Sequence, residues 1–320
     1  MGVTSDIEPS ISRQDARETV IWVRDLRMRY GGLEAVRGID LDVQRGQIFA
    51  FLGPNGAGKT TTVEILEGYR RRSGGEVTVL GADPERAGSD WRARVGVVLQ
   101  TCQPEQELTV AETIEFYAGL YDSPRSVPDL LDLVGLSEQC RVRNERLSSG
   151  QRRRLDIALA LVGDPELLFL DEPTTGFDPA ARRAAWSMIA ELRRLGTTIF
   201  LTTHYIEEAE ALADRIAVLM RGEIIAEGTP ATLGGRDQAA TEIAVVLDRL
   251  VVADELPPAL AGRSRVAGKR VTVTSNEPVR DLFVLSGWIL EQGLGADVVE
   301  VHRPSLEDVY LRLTAEAAKS

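Results

Sequence analysis

The stretch from Gly53 to Thr62, which reads GPNGAGKTTT, constrains the fold more than any other part of the chain. It follows the apolar run Ile48–Leu52, which is typical of a buried strand, and precedes Val63–Glu67, whose apolar residues recur at helical spacing. Strand, glycine-rich turn and helix in this order are the setting of the phosphate-binding loop GxxxxGK[ST], in which Lys59 supplies charge for the outer phosphates. Loop N–H groups and the helix dipole converge on an anion. The sequence therefore predicts a nucleoside triphosphate site within an α/β core.

The composition narrows the class of protein. At 320 residues, with 43% apolar residues, the chain is long enough for one large domain and a smaller one. No apolar run approaches the ~20 residues that span a bilayer, and the N-terminus does not resemble a secretory signal. Two cysteines make a disulfide framework implausible. A net charge of −12 argues against a broad basic face for nucleic acid. We therefore expect a cytoplasmic protein.

The pattern of elements predicts three regions. Residues 1–18 are polar and predict a disordered arm. Residues 19–230 predict a nucleotide-binding domain, in which Val20–Met28 and Ile39–Val43 form a small antiparallel sheet and residues 101–165 form a helical subdomain. The segment Gly234–Asp237 predicts a linker, and residues 231–320 a small α+β accessory domain.

Two adjacent acids, Asp171 and Glu172, follow the apolar run Leu167–Leu170. Such a run places a carboxylate at the C-terminal edge of a parallel strand, where ligands bind in open α/β sheets. We expect Asp171 to hold Mg²⁺ through water, together with the Thr60 hydroxyl. The strand pleat aims Glu172 differently, which makes it the candidate general base for the attacking water. Without the glycine loop, an exposed acidic pair at a strand end would be the simpler interpretation.

Three further side chains stand at predicted strand ends. His204 ends the run Thr198–Thr203 and can contact a γ-phosphate and the attacking water, although a lone histidine is usually a packing residue. Gln100 ends the strand near Val95–Leu99 and can reach Mg²⁺ and the same water. Tyr30 can stack on an adenine ring or be an ordinary strand-end tyrosine. The sequence leaves both interpretations of Tyr30 open.

The segment Leu147–Gln151, LSSGQ, predicts a second helix N-terminus able to bind phosphate, because Ser148 offers a capping hydroxyl and an amphipathic helix follows. One chain rarely brings two such termini to one phosphate. The arrangement is explained if two copies pack head to tail and each completes the other's site. The run Arg152–Arg154 in the first turn opposes the helix dipole. We therefore expect phosphate or acidic neighbours to compensate these charges.

Five motifs in order, GPNGAGKTT, LSSGQ, LLFLDEP, GFD and TTH, resemble those of the nucleotide-binding subunits of ABC transporters. The match covers about residues 20–228. It implies a P-loop ATPase core, with a mixed sheet, an antiparallel β subdomain and a helical subdomain, beside the C-terminal α+β domain. It also implies ATP and Mg²⁺ as ligands and an ATP-driven homodimer. Ser149 replaces a signature glycine and Phe177 a leucine, substitutions that bear on the rate rather than on the identity.

The resemblance assigns roles to individual positions. The residues implied to bind ATP are Tyr30, Gly53, Pro54, Asn55, Gly56, Ala57, Gly58, Lys59, Thr60 and Thr61. The residues implied to hold Mg²⁺ or to assist hydrolysis are Lys59, Thr60, Gln100, Asp171, Glu172 and His204. The residues implied to meet the partner's ATP are Leu147, Ser148, Ser149, Gly150 and Gln151. The loop implied to link the two sites across the dimer consists of Gly176, Phe177 and Asp178.

The C-terminal stretch Ser305–Thr314 resembles the closing helix of ATPases from multidrug exporters of the daunorubicin-resistance type. Such chains carry one ATPase unit and pair with a separately encoded membrane permease. We therefore expect this chain to lie on the inner face of the cell membrane and to drive the export of a drug-like or lipid-like compound. The surface around residues 100–121 is expected to dock a cytoplasmic helix of the permease.

Two alternatives stay open at this stage. One is a soluble ABC-type ATPase that acts in translation or DNA repair, although such proteins commonly carry two ATPase units, long coiled-coil insertions and a basic surface. The other is a regulatory nucleotide binder without turnover.

Overall fold

The computed structural model describes residues 19–98 and 105–317. The predicted arm at 1–18 and the predicted site residue Gln100 lie outside these ranges. The described chain divides into two compact units at the boundary between Pro230 and Ala231. Within the described ranges, no helix combines the length and the apolar character needed to cross a bilayer.

An antiparallel three-stranded sheet opens the first unit. Its strands are β1 (Thr19–Tyr30), β2 (Leu33–Gln44) and β4 (Gly74–Val79), in the order β2-β1-β4. Alternate residues such as Ile39, Leu41 and Val43 are buried, as the period-two pattern requires. The small antiparallel sheet predicted from the sequence is confirmed, with strands longer than the apolar alternation indicated.

A six-stranded mixed sheet forms the centre of this unit, in the order β5-β6-β7-β3-β8-β9. Neighbours from β5 to β8 pair in parallel, and β9 pairs antiparallel with β8. The strands are β3 (Ile48–Leu52), β5 (Val95–Val98), β6 (Leu167–Asp171), β7 (Thr198–Thr203), β8 (Arg215–Met220) and β9 (Glu223–Gly228). Every residue of β3, β6 and β7 is buried, which explains the apolar runs Ile48–Leu52, Leu167–Leu170 and Ile199–Leu201 within them.

Helices connect these strands. They are α1 (Lys59–Leu66), α2 (Ser89–Arg92), α3 (Val110–Ala118), α4 (Val127–Val134), α5 (Ser149–Leu161), α6 (Pro179–Arg194) and α7 (Ile206–Leu212). Several start where the sequence offers a cap, since a side-chain oxygen there satisfies an otherwise unpaired N–H group. Thr109 and Glu112 form a capping box before α3, and Ser126 caps α4, which ends at the left-handed Gly135. Helices α3 to α5 lie in the part predicted as a helical subdomain.

The second unit, from Ala231 onward, has its own four-stranded antiparallel sheet in the order β11-β12-β10-β13. Its elements are β10 (Thr241–Leu247), α8 (Pro258–Ala261), β11 (Ser264–Ala267), β12 (Arg270–Ser275), α9 (Pro278–Glu291), β13 (Ala296–His302) and α10 (Leu306–Ala317). A separate core around Val245, Val273, Leu285 and Trp288 holds α9 against the sheet. The short strand β11 was not predicted.

The prediction of a linker at Gly234–Asp237 is wrong. These residues belong to 3₁₀ turns over Leu233–Gln238 that pack on α10. The Arg312 guanidinium donates to the Gly234 carbonyl at 2.7 Å, and a Cβ on Gly234 would lie 2.6 Å from Val309. Gly234 and Gly235 therefore serve a tight turn with positive φ rather than a flexible connection.

Four phenylalanines fill the centre of the mixed sheet. The ring of Phe200 lies 5.5 Å from that of Phe49, 5.6 Å from Phe169 and 5.7 Å from Phe51, measured between centroids. All four are almost fully buried. Because Phe200 contacts the other three rings, it connects strands β3, β6 and β7. The functional side chains lie at the ends of these strands.

We predict that Phe200→Ala lowers the free energy of unfolding by about 3–5 kcal/mol, because it leaves a cavity in a close-packed core. Phe116, whose side chain is 61% exposed, provides the matched control. Phe116→Ala should cost about 0.5 kcal/mol or less. Urea titration of both variants measures the difference, and equal losses would contradict the central role given to Phe200.

Candidate active site

The loop between β3 and α1 is fixed by backbone contacts. The Gly53 N–H donates to the Thr203 carbonyl on β7 at 3.3 Å. Gly58, directly before α1, has φ of 106°, and a Cβ there would lie 2.6 Å from the Ala35 carbonyl oxygen. Only glycine fits this position, since both the backbone conformation and the space exclude a side chain. The helix N-terminus is therefore held open toward the loop.

Lys59 points into the loop. Its ammonium donates to the carbonyls of Gly53 at 2.9 Å and Pro54 at 3.2 Å, and the side chain is 5% exposed. Burial lowers the pKa of Lys59, an effect that the carboxylates of Glu172 and Asp171 oppose. A positive charge thus lies where the sequence predicts the outer phosphates of a nucleotide.

Asp171 ends β6 beside the loop, as its position after four apolar residues predicted. The Thr60 hydroxyl donates to its Oδ2 at 3.5 Å, and the Thr202 hydroxyl donates to Oδ1. Asp171 and Thr202 are paired in register across β6 and β7. One carboxylate oxygen is therefore held by the neighbouring strand, and the other faces Thr60.

The oxygens of Thr60 and Asp171 fit the requirements of Mg²⁺, which prefers hard ligands and is usually held by one or two carboxylates together with substrate phosphates. Over residues 19–98 and 105–317, no group of three His, Cys, Asp or Glu side chains can hold a metal by itself. The pair of oxygens from Thr60 and Asp171 therefore fits a cation that is held together with a nucleotide.

Glu172 adopts a left-handed backbone conformation, with φ of 47°. Its N–H reaches both the carbonyl and the hydroxyl of Thr202 at 3.1 Å, and its Oε2 accepts from the Thr175 hydroxyl at 3.1 Å. Its Oε1 lies 3.6 Å from the Lys59 ammonium and 3.3 Å from His204 Nδ1. Such strain in a non-glycine residue persists only where the surroundings enforce it, and it is concentrated at functional sites.

His204 follows β7 at the same edge of the sheet. Its Nδ1 lies 3.3 Å from Glu172 but lacks hydrogen-bond geometry, so this buried nitrogen is unpaired within the described residues. The imidazole packs on the ring of Tyr205 at 4.1 Å, and Arg182 covers that tyrosine at 4.2 Å. The ring is thus held in place while one polar atom keeps its bonding capacity.

Tyr30 lies at the rim of the loop. Its hydroxyl is 3.4 Å from the Thr61 hydroxyl, and the guanidinium of Arg70 lies 5.2 Å from the ring centroid. The residue is 39% exposed. The structure brings Tyr30 beside the phosphate loop, and stacking on adenine stays a prediction.

The LSSGQ segment begins α5. Ser148 and Gln151 form a capping box, with N–H to side-chain distances of 2.9 and 3.2 Å. Ser148 and Ser149 are exposed, and a Cβ on Gly150 would meet nothing within 4 Å. The N-terminus of α5 is therefore capped by its own residues, and its surface is open to solvent.

The three arginines that follow donate to carbonyl groups, and the compensation of their charges by phosphate or acidic neighbours stays a prediction. Arg153, although buried, donates to the carbonyls of Asp171 at 2.8 Å and Pro173 at 3.3 Å. Arg152 donates to Leu147 and Arg154 to Gly135. Through Arg153, α5 is connected to the end of β6 that carries the two acids.

The loop of Gly176, Phe177 and Asp178 leads into α6. Asp178 caps this helix by accepting from the N–H groups of Ala180 at 2.8 Å and Ala181 at 2.9 Å. These bonds lower the pKa of Asp178. Phe177 is half-buried, whereas Gly176 and Asp178 are exposed. The predicted dimer loop is thus ordered by its own cap and faces solvent in the single chain.

Sequence reasoning missed Glu208, a fully buried residue on α7. Its Oε1 accepts from the Thr174 hydroxyl at 2.7 Å and from the Trp186 indole at 3.0 Å. Glu208 therefore connects α7, the helix that follows His204, to the segment that follows Glu172. A glutamate inside an amphipathic helix, with partners in two other elements, gives no local signal.

Glu67 was also missed. It lines a cleft of about 550 Å³ whose wall also includes Thr60, Trp91 and Asp171. Burial, together with the negative charges of Asp171 and Glu64, raises the pKa of Glu67 to about 8. A carboxyl group that is largely protonated at neutral pH thus lies beside the pair of oxygens that suits Mg²⁺.

The structure places Lys59, Thr60, Asp171, Glu172 and His204 at one edge of the mixed sheet, as the sequence predicted. Tyr30 lies at the rim, and Gln100 is outside the described residues. Among the described contacts, the helix that LSSGQ begins reaches this group through Arg153, which donates to the Asp171 carbonyl.

Several known proteins are similar to this chain in sequence. The family model described as "ABC transporter" matches residues 36–175. The Nod factor export ATP-binding protein I of Cupriavidus pinatubonensis is 40% identical over 306 residues, which cover 93% of this chain and 92% of that protein. The daunorubicin resistance ATP-binding protein DrrA3 of Streptomyces coeruleorubidus is 38% identical over 93% of this chain and 97% of its own length.

The chain belongs to the ABC transporter family. Its resemblance to ATP-binding subunits of the daunorubicin-resistance type is thereby confirmed. The solved structure of CbiO1 from Clostridium perfringens, described as part of the ABC transporter complex cbiONQ, has a TM-score of 0.62 and 28% identity over 67% of this chain and 90% of CbiO1. The predicted P-loop ATPase fold and the assignment as an ATPase of this family are confirmed with it.

Glu67 makes the stability of this ATPase depend on pH in a defined direction. Its pKa in the folded protein, about 8, exceeds the value of 4.5 for an unperturbed glutamate. The contribution of protonated Glu67 to the free energy of unfolding is therefore fully present below pH 4.5 and is lost as the pH rises through 8. We predict that Glu67→Gln, which cannot ionise, stabilises the nucleotide-free protein by up to about 5 kcal/mol at pH 9.

The melting temperature at pH 5, 7 and 9 measures this effect. The melting temperature of Glu67→Gln relative to that of the natural chain should increase steadily as the pH rises, and the difference between the two should be smallest at pH 5. Exposed Glu115, replaced by Gln in the same way, is the control and should show no such trend. A constant difference for Glu67→Gln at all three pH values would contradict the raised pKa.

Proposed function

We propose that this chain is the ATP-hydrolysing subunit of an exporter, in which ATP drives two copies into a head-to-tail dimer and hydrolysis releases them. The observation that carries the catalytic part is the position of Glu172 Oε1, 3.6 Å from the Lys59 ammonium and 3.3 Å from His204 Nδ1. A carboxylate held between a cation and an imidazole, beside an anion-binding loop, suits the activation of water for phosphoryl transfer.

The residues of the site have separate roles in binding ATP and Mg²⁺. The loop from Gly53 to Thr61, through N–H groups between Asn55 and Thr61, binds the phosphates of ATP together with the Lys59 ammonium, and Tyr30 stacks on the adenine. Thr60 and Asp171 would hold Mg²⁺, together with Gln100. When bound there, the ion would supply positive charge that stabilises the transferred phosphoryl group.

Glu172 accepts a proton from a water molecule while the oxygen of that water attacks the γ-phosphorus. The bond between the γ-phosphorus and the β-phosphate oxygen breaks, and ADP and inorganic phosphate leave. His204, whose Nδ1 lies 3.3 Å from Glu172 Oε1, orients the water and the γ-phosphate. Thr202 fixes both acids, because it bonds the Asp171 carboxylate and the Glu172 N–H. The strained backbone of Glu172 is thereby maintained without the nucleotide.

The signature residues Leu147, Ser148, Ser149, Gly150 and Gln151 complete the site of the second copy. Two observations support this. The open space in front of Gly150 means that its own chain does not require glycine there. In addition, the first N–H groups of α5 are available to an anion. The loop of Gly176, Phe177 and Asp178 is exposed and would connect the two sites across the dimer.

Export through a separate membrane permease is proposed from the relatives. Two of them are named as ATP-binding proteins for Nod factor export and daunorubicin resistance, and CbiO1 belongs to a multi-subunit transporter complex. A drug-like or lipid-like compound is the expected cargo. Phe116 and Leu120, 61% and 68% exposed, offer an apolar contact for a cytoplasmic helix of the permease. This subunit would then lie on the inner face of the cell membrane.

The soluble alternative in translation or DNA repair has less support. The chain has a net charge of −12 and one ATPase unit, and the relatives that it matches over nine tenths of their length are named for Nod factor export and daunorubicin resistance.

Glu172→Gln tests the catalytic proposal. The amide keeps the shape of the side chain but cannot accept the proton, so we expect kcat to fall by at least about 100-fold. ATP-induced dimerisation, measured by sedimentation with ATP and Mg²⁺, should persist because ATP binding is intact. Glu207→Gln, at an exposed position of α7, should hydrolyse ATP normally. Turnover near the natural rate in Glu172→Gln would remove Glu172 from the base role.

Mixed dimers test whether the site is shared. Lys59→Ala disables the loop, and Gly150→Asp places a negative charge in front of the partner's phosphate while it suits the first turn of a helix. Each variant alone should be inactive. In an equal mixture, half of the dimers would contain one intact site, so about a quarter of the natural rate should return. No recovery, with both variants folded, would contradict a site built from two copies.

A further inference from the structure

Helix α9 of the C-terminal unit has apolar residues on two opposite faces. One face, which includes Leu285, Trp288 and Ile289, packs in the core of that unit. The other carries Val279, Phe283 and Leu290, whose side chains are 84%, 80% and 78% exposed. Their spacing of four and seven residues puts them on one stripe along the helix. We call these three residues the α9 stripe.

The α9 stripe is unusual for a surface that stays in water. Scattered exposed apolar residues are ordinary, but an aligned set that includes a phenylalanine marks a contact site. The charged residues beside it are Glu277, Arg280 and Glu291. A helix that lies on an anionic membrane carries mostly Lys and Arg on its polar face. This charge pattern therefore favours a protein surface over lipid.

The stripe is complementary to itself. If two α9 helices pair antiparallel about a two-fold axis at the level of residues 284–285, Val279 of each faces Leu290 of the other. Phe283 then faces Ser286 and Gly287, and a Cβ on Gly287 would meet nothing within 4 Å, so there is room for the ring. Arg280 faces Glu291 across the pair. In the single chain Arg280 contacts only the exposed Glu277, at 3.1 Å, among the contacts described for it, a pair of little energetic value.

The size of this contact sets its role. Helix α9 has 14 residues and is therefore about 21 Å long. One such helix pair covers a few hundred Å² per partner, below the ~800 Å² of a typical stable interface. It cannot hold two chains by itself, but it adds affinity to a dimer that already keeps the two helices at high effective concentration.

We propose that the α9 stripe is a second contact between two copies of this chain, an antiparallel α9–α9 pair that tightens the ATP-bound dimer. This inference rests on the ATP-driven dimer of the proposed function. It adds a contact outside the ATPase unit that does not depend on the nucleotide itself.

Sedimentation of the Glu172→Gln chain with ATP and Mg²⁺ tests the proposal, since hydrolysis no longer disperses that dimer. Phe283→Asp in this background should raise the dimer dissociation constant at least tenfold. Leu250→Asp, at a position of the same unit that is 69% exposed, should leave it within twofold. A dissociation constant unchanged by Phe283→Asp would overturn the proposal and leave the ATP-driven dimer standing. Absence of any dimer in the parent would overturn both.

Exchanging the charges of Arg280 and Glu291 gives a result that misfolding would not produce. Arg280→Glu and Glu291→Arg should each weaken the dimer, because each creates two like-charge contacts across the two-fold axis. The double variant should restore it to within about threefold of the parent. Failure of the double variant to recover, with a normal melting temperature, would overturn the antiparallel register.

Crosslinking locates the contact. In a chain whose Cys102 and Cys140 are replaced by serine, Ser286→Cys should be joined to its counterpart by a short bis-maleimide when ATP is present. Arg265→Cys, an exposed position on β11, should not be. A Phe283→Asp chain that dimerises normally but loses transport with its permease would assign the stripe to the permease and overturn the pairing of two copies.

Discussion

The register between β6 and β7, which sets Asp171 opposite Thr202, is the constraint on which the site depends. Through this pairing, a single threonine hydroxyl bonds both the Asp171 carboxylate and the Glu172 N–H. A shift by one residue would turn every side chain of β6 to the other face of the sheet. The carboxylate next to Thr60 and the strained glutamate next to Lys59 are thus two consequences of one strand pairing, which the phenylalanine cluster around Phe200 holds in place.

Arg153 extends this constraint to the helical subdomain. Its guanidinium is buried and donates to the carbonyls of Asp171 and Pro173, so α5 cannot shift without disturbing the end of β6. Glu208 makes a similar connection from α7 to Thr174. The segment around Glu172 is therefore held from both sides by buried charged residues with backbone or side-chain partners. Hydrogen bonds are electrostatically stronger in a low-dielectric interior than in water, so these contacts rigidify the segment.

Most of the site could be predicted from the sequence because its residues are adjacent to strong local signals. A glycine loop after a buried strand locates Lys59 and Thr60, and an apolar run locates Asp171 and Glu172. Arg153, Glu208 and Glu67 lack such signals, because their roles depend on partners far away in the chain. The linker predicted at Gly234–Asp237 failed for a related reason. Two glycines fit a flexible segment and a tight turn equally well, and only the packing of α10 decides between them.

The glycines also distinguish what one chain needs from what a second chain supplies. Gly58 is required by its own protomer, since a side chain there would collide with the Ala35 carbonyl. Gly150 meets no such obstacle, and the dimer proposed above would explain it, because a nucleotide bound by the second copy would come close there. The exposed apolar residues of α9 pose the same question in the second unit, because they stay exposed in the described part of the chain. The proposal of an assembly of two copies thus rests on surface features at two separate places rather than on the core of either unit.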